Sequence, residues 1–492
     1  MKGMVTALYD CRSKQEYIYR TNKVKEIAGA SALLEKVYER FYKKCSGYDI
    51  KIDNSWKEKS FSKAEFEVSD YDGIVVYEGG GNLYMLYKSR EIYIKANRIF
   101  SKMLIDETYT ISVIASAVPT SDNFNKDRKK LYEANKYQKN LGTFSAVCNA
   151  LPFTQTDRNT WQPVVQKKNN KDITREAQFK IGAYDKYCQR DESIQSENLD
   201  SLVWEKGEES LLAVIYIDGN AMGSKIKTLT ENVNGFDECV NKLRKFSLDT
   251  NKIYVREPLK AIEKMLSVKR EKIKDRKSNL HKYRKIIGGG DEITLICNAR
   301  DAKDIVLAYF DVLKKQDALV VGEINASCAG IAIFHSHDPF SEIYKIAEAA
   351  CETGKKETRK SNSRDNYIDF HYCHSGIVND LETIRNEQEK DVTARPYELE
   401  KIRDFCKYGN EIREIGRQNV KALRDSIFMG DSYFEFEIRR ILSRYPKGSF
   451  VKLNNEFKDS RNEFKRLVYD ISLVFDLWFE NESAGEENEN QD

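Results

Sequence analysis

A chain of 492 residues, 40% hydrophobic and 32% charged, is too long for one ordinary core and divides into about three or four units. Lys and Arg number 81 against 78 Asp and Glu, so net charge singles out no class of partner, and the longest apolar runs, such as Leu211 to Ile217, fall far short of the roughly 20 residues of a membrane span. The ten cysteines include no Cys-x-x-Cys pair and no basic, apolar leader opens the chain, the pattern expected of a reducing, cytoplasmic protein with free thiols.

In chain order, Met4 to Asp10 reads as a short strand ending on an aspartate. Ser13 to Lys44 has helical spacing, with a break at Gly29-Ala30-Ser31 before Leu33, Leu34, Val37 and Phe41 repeat on one face. Asp72 to Tyr87 is strand, glycine turn, strand, with Gly79-Gly80-Gly81-Asn82 at the tip. A helix from Arg90 to Leu104, a strand from Tyr109 to Ala117 and another helix follow. Residues 141–206 read as an ordered insert with a flexible polar middle around Lys167 to Lys171. Leu211 to Ile217 is a buried-type strand that delivers Asp218 at its end. The basic stretch Lys269 to Lys285 leads into a second hairpin, Lys285 to Ile296, whose tip is Gly288-Gly289-Gly290-Asp291-Glu292. A helix (Ala302 to Lys315), a strand (Ala326 to Phe334) and a helix (Pro339 to Lys356) come next. From Thr393 to about Glu480, apolar positions such as Ile412, Ile415, Val420, Leu423 and Ile427 mark packed amphipathic helices, and Gly485 to Asp492 is an acidic, frayed end.

Two landmarks recur at nearly constant spacing. Asp10 and Asp218 stand 208 residues apart, and Gly79-Gly80-Gly81-Asn82 matches Gly288-Gly289-Gly290-Asp291 at 209. The order of elements downstream repeats as well, which makes the chain a tandem duplication of one βααββαβ-like unit. This alignment sets Asn82 and Leu83 of the first copy against Asp291 and Glu292 of the second, so only the second copy assembles the carboxylate charge a divalent cation demands.

A strand-end aspartate beside a Gly-Gly-Asp-Glu hairpin is the pattern of palm-fold nucleotidyl cyclases and polymerases. The expected metal ligands are Asp218, Asp291 and Glu292, with the carbonyl of Ile217, and the expected ion is Mg2+ or Mn2+ acting in phosphoryl transfer. Gly219, Asn220, Met222 and Gly223 open the next helix, where backbone N–H groups suit triphosphate oxygens; Asp218 in that position also suits a helix cap. Gly289 and Gly290 allow close approach in the working copy, as Gly80, Gly81 and Asn82 do in the silent one. His335, His337, His371 and His374 lack the paired spacing of zinc sites.

The stretch Gln15 to Ser31, the Gly-Gly-Asp-Glu hairpin and Ala329-Gly330-Ile331-Ala332-Ile333-Phe334-His335 resemble the large CRISPR-associated subunit of type III effector complexes over residues 1–140 and 206–380, and more distantly GGDEF-type diguanylate cyclases. The resemblance implies an α+β fold of two tandem ferredoxin-like palm domains followed by a helical domain, with a degenerate palm at 1–140, an insert at 141–206, a catalytic palm at 207–385 and helices at 386–492. It implies synthesis of cyclic oligoadenylates from ATP in antiviral signalling, with Lys355 on a phosphate and Gln15, Thr21 and Ser31 near the second nucleotide. Guide and target RNA and effector-complex subunits are the implied partners. Four departures stand out: Glu292 where the family has a second Asp, Asn220 where it carries a second acid, and neither a His-Asp nuclease segment before Asp10 nor a paired-cysteine zinc module. An RNA-binding scaffold with little catalysis, or a stand-alone cyclic dinucleotide synthase, are the alternative expectations.

Overall fold

The computed structural model describes residues 3–479 apart from 22, 142–150, 152, 159, 169–170, 189–201, 204–209, 273–281, 361–363, 374–379 and 390. The first part runs β1 (Val5–Arg12), α1 (Lys14–Tyr19), α2 (Val24–Glu35), α3 (Val37–Ser46), β2 (Ile52–Asp53), α4 (Lys63–Val68), β3 (Gly73–Gly79), β4 (Asn82–Tyr87), α5 (Arg90–Thr108), β5 (Ser112–Pro119) and α6 (Phe124–Asn140). A hairpin, β6 (Val164–Lys168) and β7 (Lys171–Thr174), and α7 (Arg175–Tyr187) follow. The second part runs β8 (Leu211–Gly219), α8 (Met222–Thr230), α9 (Phe236–Asn251), α10 (Glu257–Lys272), β9 (Tyr283–Gly289), β10 (Glu292–Asn298), α11 (Ala302–Leu313), β11 (Ser327–His335), α12 (Phe340–Lys360), β12 (Tyr367–Tyr372), α13 (Leu381–Gln388) and β13 (Tyr397–Glu398). Five helices close the chain: α14 (Leu399–Ile412), α15 (Arg417–Ile427), α16 (Asp431–Arg444), α17 (Ser449–Glu456) and α18 (Arg461–Trp478). No helix among the described residues is long and apolar enough to cross a membrane.

The mixed α+β architecture carries the internal repeat. One sheet has the order β2-β3-β4-β1-β5 and the other β13-β12-β11-β8-β10-β9, so β3-β4-β1-β5 corresponds strand for strand to β9-β10-β8-β11. Within these four-strand blocks every pairing is antiparallel. Even a strained position recurs: Ser13 (φ 49°) and Ala221 (φ 56°), each three residues past its strand-end aspartate, adopt the left-handed conformation just before a helix.

Register corrects the expected alignment by one residue. Asn82 pairs with Asp10 and Glu292 with Asp218, so Asn82 corresponds to Glu292 and Gly81 to Asp291. Three consecutive glycines in each copy carry no side chain to mark the register, which is why the sequences slide. Backbone geometry explains the difference between the tips. Gly80 and Gly81 both have positive φ (59° and 76°), whereas in the second tip only Gly290 does (68°). The first turn therefore needs glycine at both central positions and the second at one, leaving Asp291 free to carry a carboxylate.

Period-two burial in β8 divides the core. Leu212, Val214 and Tyr216 join a cluster that also holds Tyr9, Phe41, Phe100 and Tyr344, so the two parts share one interior. Ala213, Ile215 and Ile217 face the other way, into a cluster with Phe310, Phe405, Phe464 and Trp478, and the C-terminal helices thus build onto the second sheet. At that junction fully buried Arg395 meets Asp470 of α18 (Nε to Oδ1, 3.0 Å) and Glu389 (2.8 Å) and donates to the Phe370 carbonyl (2.6 Å).

The expected break at Gly29 is absent: Gly29 lies inside α2, where lack of a side chain admits the α7 backbone at Lys180, and the helical stretch is divided instead where α1 ends at Tyr19 and at Lys36 between α2 and α3. Within the insert, Val164–Lys168 and Lys171–Thr174 pair as the β6–β7 ladder, and residues 169–170 of the expected flexible middle lie outside the described residues. Gly330 plays a similar part under α12, since a Cβ there would strike the Ala347 carbonyl and lie 2.5 Å from the Cys351 nitrogen. Backbone cannot step aside as a flexible side chain can, so Gly330→Ala is expected to destabilise the fold by about 1–3 kcal/mol, measured as a lower urea midpoint at unchanged slope.

Candidate functional site

The second hairpin lays its acids along one edge. Glu292, the first residue of β10, sits directly across from Asp218 at the end of β8, and the Gly219 N–H donates to the Asp291 carbonyl (3.2 Å). A Cβ on Gly219 would come within 2.9 Å of the Asp291 Cβ, so only glycine lets the two acidic segments approach this closely. Burial first, then the neighbouring Asp218, pushes the Asp291 carboxyl up to about 7. Burial, then Asp218 and Asp291, pushes Glu292 up to about 8. Glu292 Oε1 is buried without a hydrogen-bond partner. Ile217, buried, lies in the ladder between Ile293 and Ala329.

Lys355, near the end of α12, forms an ion pair and hydrogen bond with Asp218 Oδ2. Burial works against its charge, but Asp218 outweighs it and holds the ammonium above the ordinary lysine range. Among the described residues no group of three acidic, histidine or cysteine side chains is arranged to hold an ion as it stands. The donor chemistry nevertheless fits a hard divalent cation: three mutually repelling carboxylates, one with an orphaned oxygen, and an ammonium as the present counter-charge.

The other expected residues fall out as follows. Asn220 is buried; its side-chain amide donates to the Asp365 carbonyl (3.1 Å) and its N–H to the Ala326 carbonyl (2.8 Å), so it braces the end of β11. Met222 opens α8, and Gly223 is exposed with open space where a Cβ would be. Gly289 closes β9 opposite Glu292 and Gly290 begins the tip, where a Cβ on Gly290 would lie 3.7 Å from the Gly80 nitrogen. The silent tip therefore faces the acidic one. His335, the last residue of β11, and His337 just beyond it lie with ring centres 5.3 Å apart, burial lowers His371 to about 4, and His374 lies outside the described residues. Of the basic stretch, Lys269 is neutralised by Asp301 (3.3 Å) and Asp304, while 273–281 lie outside the described residues.

Around the glycine tip of the first copy the structure adds residues that sequence reasoning missed, Lys139, Lys14 and Tyr19, and places the expected Gln15, Thr21 and Ser31. Lys139 of α6 pairs with Asp10 (2.5 Å), the counterpart of Lys355 on Asp218. It stands 216 residues before Lys355, off the 208–209 spacing that revealed the repeat. Lys14 Nζ donates to the Gly80 carbonyl (2.6 Å) and tempers the rise at Glu292. Gln15 Nε2 donates to the Tyr344 hydroxyl (2.9 Å) and to Glu348 Oε1 (3.1 Å), and Tyr19 stacks on Tyr344 at 3.8 Å between ring centres. Thr21 is buried and Ser31 half-buried.

These features define a class: an α+β protein with two corresponding sheets whose hairpin tips face each other, one acidic and one not. No family model and no curated protein matches the sequence. Among solved structures the fold is that of Csm1 of type III CRISPR-Csm complexes. Csm1 of T. onnurineus matches at a TM-score of 0.53 and 13% identity, over 97% of this chain and 69% of that one. The apo Csm1-Csm4 cassette matches at 0.52 and 13% over 96% and 69%, and the cassette in complex with cA3 at 0.51 and 14% over 97% and 69%. At this identity the likeness is one of fold.

Proposed function

We propose that this chain is a Csm1-like large subunit whose second unit is a working palm, and that it joins ATP into cyclic oligoadenylates through 3′,5′-phosphodiester bonds with release of pyrophosphate. The observation that carries the reading is the acid trio Asp218, Asp291 and Glu292, facing a silent tip in a fold whose solved examples include complexes with one ATP, with pppApA and with cA3. In this reading the units are ferredoxin-like palms at 1–140 and 207–385, with the insert at 141–206 between them and a helical domain at 386–492.

Asp218, Asp291 and Glu292, with the Ile217 carbonyl, hold Mg2+ or Mn2+. When bound, the ion polarises the α-phosphate and acidifies the attacking 3′-hydroxyl. Lys355, displaced from Asp218, turns to a phosphate oxygen, and Gly219, Met222 and Gly223 let the triphosphate reach the first-turn amides of α8. Asn220 positions this wall through its backbone contacts. In the silent half Gly80, Gly81, Asn82 and Lys139 hold the acceptor nucleotide, and the unpartnered Asn82 Oδ1 accepts from a ribose hydroxyl. The partners in this reading are effector subunits of the kind seen with Csm1, guide and target RNA, and the role is antiviral signalling.

Incubation with each NTP and Mg2+ or Mn2+, with and without RNA and partner subunits, followed by mass spectrometry, is expected to give cyclic oligoadenylate. The absence of any new phosphodiester under all these conditions would sink the reading, and a cyclic dinucleotide would redirect it. Lys355→Met is expected to slow product formation roughly 100-fold while tightening Mn2+ binding roughly tenfold through loss of the competing charge. Titration of free Mn2+ by electron paramagnetic resonance checks the second effect independently of turnover.

A further inference from the structure

Helix α6 buries Phe124, Asp127, Leu131 and Asn135, a stripe at i, i+3, i+7 and i+11. Its opposite face is made of lysine and tyrosine. The helix carries six cations against two acids, and one of those acids, Asp127, is buried and accepts from the Ser121 N–H (2.9 Å) and hydroxyl (2.7 Å). Lys126, Lys129, Lys130 and Lys136 are exposed and make no ion pair among the described residues. Tyr132 and Tyr137 are each 66% exposed. Lys129, Tyr132 and Lys136 form one exposed row, and Lys126, Lys130, Glu133 and Tyr137 the row beside it.

The duplication supplies a control. The corresponding helix, α12, has five cations and four acids, and its surface neutralises itself through Lys345–Glu342 (2.9 Å), Arg359–Glu352 (2.7 Å) and Lys360–Glu357 (2.7 Å). Its tyrosine, Tyr344, is buried. The charge on α6 is therefore no requirement of the fold position. Uncompensated lysines call for an anionic partner, and exposed rings between them offer bases a face to stack on, a combination that a bare polyanion does not use. Both tyrosine hydroxyls and the lone exposed acid of the helix, Glu133, add hydrogen-bonding groups of the kind that read a ribose 2′-hydroxyl.

We propose that the exposed face of α6 is a docking surface for single-stranded RNA, with phosphates on Lys126, Lys129, Lys130 and Lys136 and bases on Tyr132 and Tyr137. The site does not depend on the proposed synthesis. Fluorescence anisotropy of the full chain with a labelled single-stranded RNA of about 20 nucleotides tests it. Tyr132→Ala with Tyr137→Ala is expected to weaken binding roughly tenfold or more, with Tyr→Phe at both positions keeping most of it. Lys129→Gln, Lys130→Gln and Lys136→Gln together should lower the slope of log affinity against log salt by about 2. All of these positions are exposed, so the melting temperature should stay within about 2 °C of wild type, which separates lost contacts from lost fold. Unchanged affinity in either variant set overturns the proposal. So does equal binding of DNA of the same sequence, of duplex RNA or of anionic phosphatidylserine vesicles.

Discussion

The double variant Asp291→Asn, Glu292→Gln is expected to lose nucleotide joining by at least about 100-fold and at the same time to melt at a higher temperature than the wild-type chain in EDTA. Both effects follow from one arrangement. The carboxyls are held at about 7 and about 8, above ordinary values of about 3.9 and 4.3, by burial and by crowding around Asp218. Lys355 and, more weakly, Lys14 and Glu348 are the other charges facing them. Because the native state holds protons that the unfolded state has released, stability falls as pH rises from about 4 to about 8. The wild-type melting temperature should therefore decline across this window, and the isosteric amides should flatten the decline. Mn2+ should restore stability to the wild type alone, since an ion that binds only the native state stabilises by mass action. A variant that melts lower than wild type at pH 8 in EDTA would show that these acids support the fold rather than strain it.

Asp470→Ala carries the largest expected loss of stability, about 3–5 kcal/mol. Asp470 accepts from the Thr393 hydroxyl (2.7 Å), the Ala394 N–H (2.8 Å) and the Tyr397 hydroxyl (2.8 Å) while pairing with Arg395. Removing it strands the fully buried Arg395 with Glu389 as its remaining acidic partner. A guanidinium cannot shed its proton to escape, so burial falls on a charge only partly compensated. The melting temperature should drop on the order of 10 °C. Arg395→Met combined with Asp470→Leu, which removes both charges, should recover only part of that loss, because Thr393, Ala394 and Tyr397 stay without their acceptor and Glu389 without Arg395. If Asp470→Ala alone shifts the melting point by less than about 2 °C, the junction between the second sheet and α18 rests on apolar packing instead.

Much of the architecture was legible because it is written in local periods. The unbroken apolar run Leu211 to Ile217 and the triple glycines before Asn82 and Asp291 mark a strand buried on both faces and tight turns through steric rules that act within a few residues. Their recurrence about 208 residues later exposed the repeat, and the strand-end Asp218 with the Asp291-Glu292 hairpin was recognisable for the same reason. What escaped depends on residues far apart in the chain. The register that sets Asn82 against Glu292 is decided by pairing with Asp10 and Asp218, since glycines bear no side chain to announce it. Lys139 on Asp10 and Lys355 on Asp218 meet only because helices pack back over their sheets. The bareness of the α6 lysines becomes visible beside the self-neutralised α12. Chemical identity and turn geometry are local properties of the sequence, whereas compensation of charge is settled only when distant segments come into contact, and in this protein that contact separates the acidic tip from its silent twin.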